Sequence, residues 1–268
     1  MKSEWFIQHG LRSQKHLSLY EVFHRDGLPL SRICRTPLRN IYGWRATPIN
    51  RTLRQIEHFS LMQEVIGLFP TPFMRVGGAF GRGLVAGLVE HFSVAANQAN
   101  NSSTNLVHTA MLRPSDSPLL VEAAALIRPL LTDFGALLFG ERLGWSLKEM
   151  WVNVLDTGGR QAMHNHANSF ISGVVYLTKT HPEARTVFMK SPGGTEFSFK
   201  NDHAAVITGP YNADKWISMP PEPGDVVLFP SYLLHAVPPN QGERRITMSF
   251  NAIPSGLDSW GYKISFSG

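Results

Sequence analysis

Three histidines fall where their side chains could share one ligand. His164 and His166 stand two apart in GGRQAMHNHANSF, and His235 closes the run GDVVLFPSYLLH. In an extended segment, residues i and i+2 project to the same side, so both imidazoles of the H-x-H can reach one point. An H-x-H alone is commonly a surface or packing feature, so the weight rests on its surroundings. His235 follows a strand-like apolar run, and a barrel can bring the ends of separate strands together. Neutral imidazoles suit Fe, Zn, Cu or Ni, whereas Mg and Ca prefer oxygen.

A second group lies about ten positions past His235, in ERRITMSFN (243–251). Arg245 and Thr247 alternate onto one face of that run. A guanidinium with a hydroxyl beside it matches the distal carboxylate of a dicarboxylic 2-oxo acid whose other end chelates a metal. The acid Asp225 follows Pro223-Gly224 and reads as turn chemistry.

Elements able to position these groups occupy the chain from about residue 68. LFPTPFMRV (68–76) suggests a short strand, and residues 83–98 carry apolar side chains at helical spacing. A polar loop follows at 97–105. A second helix can be capped by Asp116 or Ser117, with Pro118 in its first turn, and Pro129 is expected to kink or divide it. Beyond about 148 come five short β-rich runs, MWVNVLD, SFISGVVYLT, RTVFMKS, GDVVLFP and RRITMSFNAI, bounded by turn residues. Helices followed by many antiparallel strands predict an α+β chain with helices bracing a sandwich or barrel.

Trp151 and Asn153, the H-x-H, SGVVYL (172–177), the segment from Pro221 to Ser231, His235 and ERRITMSFN together resemble a branch of the 2-oxoglutarate/Fe(II)-dependent oxygenases, with LFPTP at 68–72 resembling its usual start. The resemblance covers about 68–255. It implies a double-stranded β-helix, a jelly-roll or cupin-like barrel, holding Fe(II). It also implies His164 and His235 as metal ligands, Arg245 as the anchor of 2-oxoglutarate, and Thr247 where the superfamily often has Ser. The usual third ligand is a carboxylate two residues after the first histidine, yet that place is His166 here. A three-histidine centre is the favoured reading, with an acid from elsewhere as the alternative. The implied reaction consumes 2-oxoglutarate and O2, releases succinate and CO2, and hydroxylates an unidentified small-molecule or peptide substrate. Tyr176 and Asn153 are further cosubstrate contacts, and Gln161 a weaker one. Trp151 and Phe229 read as core, His91 and His108 as structural, His181 and His203 as surface, and 191–219 as a substrate loop.

Composition sets the outer bounds. The 268 residues are 43% hydrophobic and 17% charged, an ordinary globular balance with one cysteine, Cys34. With no apolar run near membrane-spanning length and no signal-like start, a cytoplasmic protein is the expectation. The net charge of +5 is concentrated: residues 1–61 hold ten Lys/Arg against four Asp/Glu, leaving 15 against 16 beyond. Residues 1–67 therefore read as a basic, poorly ordered extension before an oxygenase domain at 68–268, and Met62 is a possible true start. Two rivals follow. A cupin-type metalloprotein without 2-oxoglutarate would want a glutamate where Phe170 or Ile171 stands. A nucleic-acid binder would act through the basic arm, and nucleic acid is not the expected partner. Oligomeric state is open, with a homodimer compatible.

Overall fold

The computed structural model describes residues 67–100, 103–190 and 203–266. The expected 1–67 extension lies almost wholly outside them, as does the first part of the proposed substrate loop. Among these residues two α-helices and twelve strands follow one another: β1 (Met74–Val76), α1 (Arg82–Phe92), β2 (Gln98–Ala99), β3 (Thr104–His108), α2 (Pro118–Phe139), β4 (Trp145–His164), β5 (Ile171–Tyr176), β6 (Val187–Met189), β7 (Lys215–Ile217), β8 (Val226–Pro230), β9 (His235–Val237), β10 (Arg245–Pro254), β11 (Gly256–Ser259) and β12 (Tyr262–Ser265).

The strands run in the order β1-β8-β5-β10-β4-β9-β6-β7, with β3 and β2 added beside β4. The first half of β4 pairs with β10 and β3, and its last residues pair with β9. The strand changes partners across Asp156–Arg160, so one chain segment belongs to both layers of a curled, antiparallel jelly-roll. Gly158 takes φ 76° there, and a Cβ on Gly159 would lie 2.6 Å from the Asn105 carbonyl oxygen, so the crossing needs both glycines.

The period-2 pattern of β10, RITMSFNA, divides its neighbourhood into two faces. Ile246, Met248, Phe250 and Ala252 join Met150, Val152, Val154, Ile171, Val175, Val226 and Leu228 in the main core. The two helices cover this face with Leu84, Leu88, Leu120, Ile127, Leu131 and Phe134. Each such side chain, fully buried, is worth about 1.5–3 kcal/mol. Cross-strand register puts Arg245 opposite Leu155, Thr247 opposite Asn153 and Tyr176, and Asn251 opposite Ser172. These form the second face, which carries the polar groups.

Several expectations change. Pro129 does not divide its helix: α2 is continuous from its Ser117 cap to Gly140, which ends it in the left-handed conformation. Pro129 lies on the exposed side, where water can serve the carbonyl it leaves free, while Ile127, Leu131 and Phe134 are buried on the other. The first helix stops at Phe92, short of 98. The polar stretch at 97–105 contains β2 and the start of β3, and the end of the 191–219 loop is strand β7, paired with β6. No helix among the described residues is long and apolar enough to cross a membrane.

Candidate metal centre

Register brings the first two imidazoles together. His164, the last residue of β4, lies directly across from His235, the first of β9, and Phe188 on β6 lies across from His235 on the other side. His166 follows just beyond the end of β4. The three rings sit with centroids 4.2–5.2 Å apart, and one nitrogen from each lies within 4.8 Å of the others. His166 Nε2 and His235 Nε2 are 3.2 Å apart. Neighbouring nitrogens on one metal, each about 2.1 Å from it, stand roughly 3 Å apart.

Backbone acceptors fix the tautomers. His164 Nδ1–H donates to the Ala162 carbonyl and His235 Nδ1–H to the Leu233 carbonyl, both at 2.8 Å, which leaves each Nε2 lone pair facing the shared point. Burial lowers the pKa of all three rings, with neighbouring charged imidazoles adding to the effect at His166, to about 4, and at His235, to about 3. Neutral imidazole is the form that ligates. Gln161 offers its side-chain nitrogen 3.4 Å from His164 Nε2.

No carboxylate joins this cluster among the described residues. Asp225 is engaged elsewhere: it accepts from Arg75 at 2.6 and 3.0 Å and from the backbone N–H groups of Gly78 and Glu222. It staples the turn before β8, as its Pro-Gly context suggested. Glu149 lies close enough to His166 to favour its charged form, but its two oxygens are held by Lys148 at 2.9 Å and Asn251 at 2.8 Å. The donor set is three imidazoles, which suits a borderline transition metal.

Arg245 opens β10 on the same polar face. It is 4% exposed, its Nε has no hydrogen-bond partner, and no carboxylate pairs with it among the described residues. Burial pushes its guanidinium below the ordinary value, opposed by Tyr176, whose ring centroid lies 5.4 Å from the guanidinium carbon. Thr247 and Tyr176 are each 1% exposed. A buried cation that no carboxylate among the described residues pairs with is a fitting receptor for an anion.

Of the other expected contacts, Asn153 is buried but satisfied, donating to Ser249 Oγ at 3.0 Å and accepting from Trp151 Nε1 at 3.2 Å. Phe229 packs with Tyr176, Phe188 and Val227, as core, yet its ring also meets His235 edge-on at 4.9 Å. Trp151 is half-buried, with its ring 5.8 Å from His166. His181 and His203 each accept from a nearby backbone N–H at the surface. His108 is nearer than its place in the chain implies, since β3 sets it opposite Asn153 on the polar face. Sequence reasoning missed Ser172, Ser231, Ser249 and Asn251. The signal was present in β10, where small polar residues alternate with apolar ones through Asn251.

A curled antiparallel barrel of jelly-roll type, with three imidazoles able to hold a metal at its mouth and a buried cation along the next strand, is the arrangement of a metal-dependent oxygenase. Residues 149–251 match the family model described as "Putative 2OG-Fe(II) oxygenase". Over these residues the chain is similar to that family, and the protein is a 2-oxoglutarate-dependent oxidoreductase using Fe(II) and O2. No curated protein matches the chain. Among solved structures, HygX from Streptomyces hygroscopicus with nickel and 2-oxoglutarate bound is similar at 16% identity, over 69% of this chain and 84% of that one, with a TM-score of 0.50. The 2-oxoglutarate-dependent epimerase SnoN from nogalamycin biosynthesis is similar at 15% identity over 69% and 80%, with a TM-score of 0.51. These likenesses establish the shared fold.

Proposed function

We propose that His164, His166 and His235 hold one Fe(II) through Nε2, and that Arg245 and Thr247 receive the distal carboxylate of 2-oxoglutarate. The observation that carries this is Arg245, a buried guanidinium that no carboxylate among the described residues pairs with, on the face where three neutral imidazoles meet. An unpaired buried charge costs several kcal/mol, and a bound carboxylate relieves that cost. HygX, described with nickel and 2-oxoglutarate bound, has the same fold, which is compatible with these ligands.

When bound, the iron and 2-oxoglutarate supply oxidative decarboxylation by O2, releasing succinate and CO2 and leaving one oxygen atom on the substrate. The chain's own residues do the rest. The Ala162 and Leu233 carbonyls keep two rings in the ligating tautomer. Tyr176, Phe188, Val227 and Phe229 form an apolar cluster behind His235 that excludes water. Three neutral imidazoles bring no charge, so dianionic 2-oxoglutarate brings the ion and its ligands to about neutrality. A small-molecule substrate fits this reading, in line with HygX, described with hygromycin B bound.

Neither position a cupin would need for its glutamate is acidic: Ile171 is fully buried in the helix-covered core and Phe170 packs against that core. Anaerobic titration of the protein with Fe(II) and 2-oxoglutarate should produce a visible metal-to-ligand charge-transfer band, and O2 should then release succinate without any added substrate. Iron-loaded protein that neither gives the band nor consumes 2-oxoglutarate refutes the proposal in favour of a cupin-type metalloprotein.

A further inference from the structure

Two of the three imidazoles are fixed twice over, by cross-strand pairing and by an Nδ1–H bond to a carbonyl. His166 has neither: it lies past the end of β4, and among the described residues its Nδ1 has no partner. Its backbone N–H donates to the Ser231 carbonyl at 3.0 Å, and Ser231 N–H donates to the Phe170 carbonyl at 3.1 Å. Ser231 thus clamps both ends of the turn that carries His166.

The Ser231 hydroxyl begins a chain of side chains. Ser231 Oγ and Ser172 Oγ are 2.8 Å apart, Ser172 Oγ lies 2.8 Å from Asn251 Oδ1, and Asn251 Nδ2 lies 2.8 Å from Glu149 Oε2. A carboxylate only accepts, so Asn251 must turn its NH2 group to Glu149 and its oxygen to Ser172. Ser172 therefore spends its one hydrogen on Asn251 and receives that of Ser231. Glu149 sets the direction of every bond in the series. Ser172, Ser231 and Asn251 are at most 3% exposed, where an unsatisfied polar group is costly. The network is complete only as a whole.

We propose that Glu149, Asn251, Ser172 and Ser231 form a positioning device for His166, holding the one ligand that strand pairing does not hold. This deepens the three-histidine reading and rests on it. Glu149 is a positioning residue that acts through Asn251, not a metal ligand.

Nickel(II) titration of the full chain tests it, using native protein, Glu149→Ala, Glu149→Gln, His166→Ala and the Glu149→Ala/His166→Ala double variant. Loss of a group that orients a ligand typically weakens metal binding about 10- to 100-fold, and Glu149→Ala should fall in that range. Glu149→Gln, which still offers Asn251 an acceptor, should bind nearly as the native protein does. With His166 already removed, Glu149→Ala should cost nothing further. An equal loss in both backgrounds, or a Glu149→Gln protein as weak as Glu149→Ala, overturns the proposal. His166→Ala binding nickel as tightly as native protein overturns the three-histidine reading, and this proposal with it. Circular dichroism confirms that each variant is folded, and Ser172→Ala takes the same cycle if Glu149→Ala is not.

Discussion

At the scale of single residues, the site depends on one cation and three rings whose charge states are set by burial. Arg245→Ala removes the proposed partner of an incoming carboxylate, and truncating one side of a buried charge pair costs about 2–5 kcal/mol. The charge-transfer band of the Arg245→Ala protein should therefore need at least ~30-fold more 2-oxoglutarate, while Fe(II) affinity stays near native. His235→Ala should lose the metal itself. The imidazoles predict an acid response. Their pKa values are lowered in the fold, to about 4 at His166 and about 3 at His235, from an ordinary 6.5. Between those values and 6.5 the unfolded chain binds more protons than the folded one, so stability falls as pH falls through that window. The melting temperature of metal-free protein should drop on acidification from pH 7 to pH 4, and His235→Gln should flatten that slope. A native slope no steeper than the variant's would refute the assignment.

At the scale of elements, α2 and the strand faces show competing preferences resolved by burial. Pro129 removes one helical hydrogen bond and crowds the carbonyl of Ala125 on an exposed surface. Pro129→Ala should raise stability by about 1–3 kcal/mol, read from the denaturant midpoint, because no buried contact is lost. Gly135, six residues on, gives the opposite result. A Cβ there would lie 2.5 Å from the Trp145 ring. The helix-propensity gain of about 1 kcal/mol from Gly135→Ala should be outweighed by displacement of that ring, for a net loss of about 1–3 kcal/mol. The two substitutions differ in sign because one faces water and the other faces a packed indole.

At the scale of the whole molecule, one crossing joins the two layers and carries the site. Leu155 of β4 faces Arg245 in one layer and His164 faces His235 in the other, with the Gly158–Gly159 bend between them. A methyl group on Gly159 would meet backbone oxygens of Asn105 and Asp156 at 2.6 and 2.8 Å, neither of which can swing aside. Gly159→Ala should therefore weaken nickel binding at least tenfold as well as lower the melting temperature, although the residue touches no ligand. A variant that melts early but binds nickel normally would show that the crossing does not set the geometry of the site.

Much of this was legible beforehand because it is local. Short β-branched and aromatic runs bounded by turn residues announced β5, β8 and β10, Ser117 and Pro118 marked the start of α2, and the H-x-H with His235, Arg245 and Thr247 pointed to a metal-and-dicarboxylate chemistry from residue types and spacing. Other features were hidden because they are relations between distant segments. Nothing near His108 in the chain says that β3 will lie against Asn153. Nothing near Glu149 says that it ends a hydrogen-bonded series passing through Asn251, Ser172 and Ser231. A side chain's donors and acceptors are fixed by covalent chemistry, but which of them meet is set by sheet register, and register follows from burying the apolar face beneath the helices.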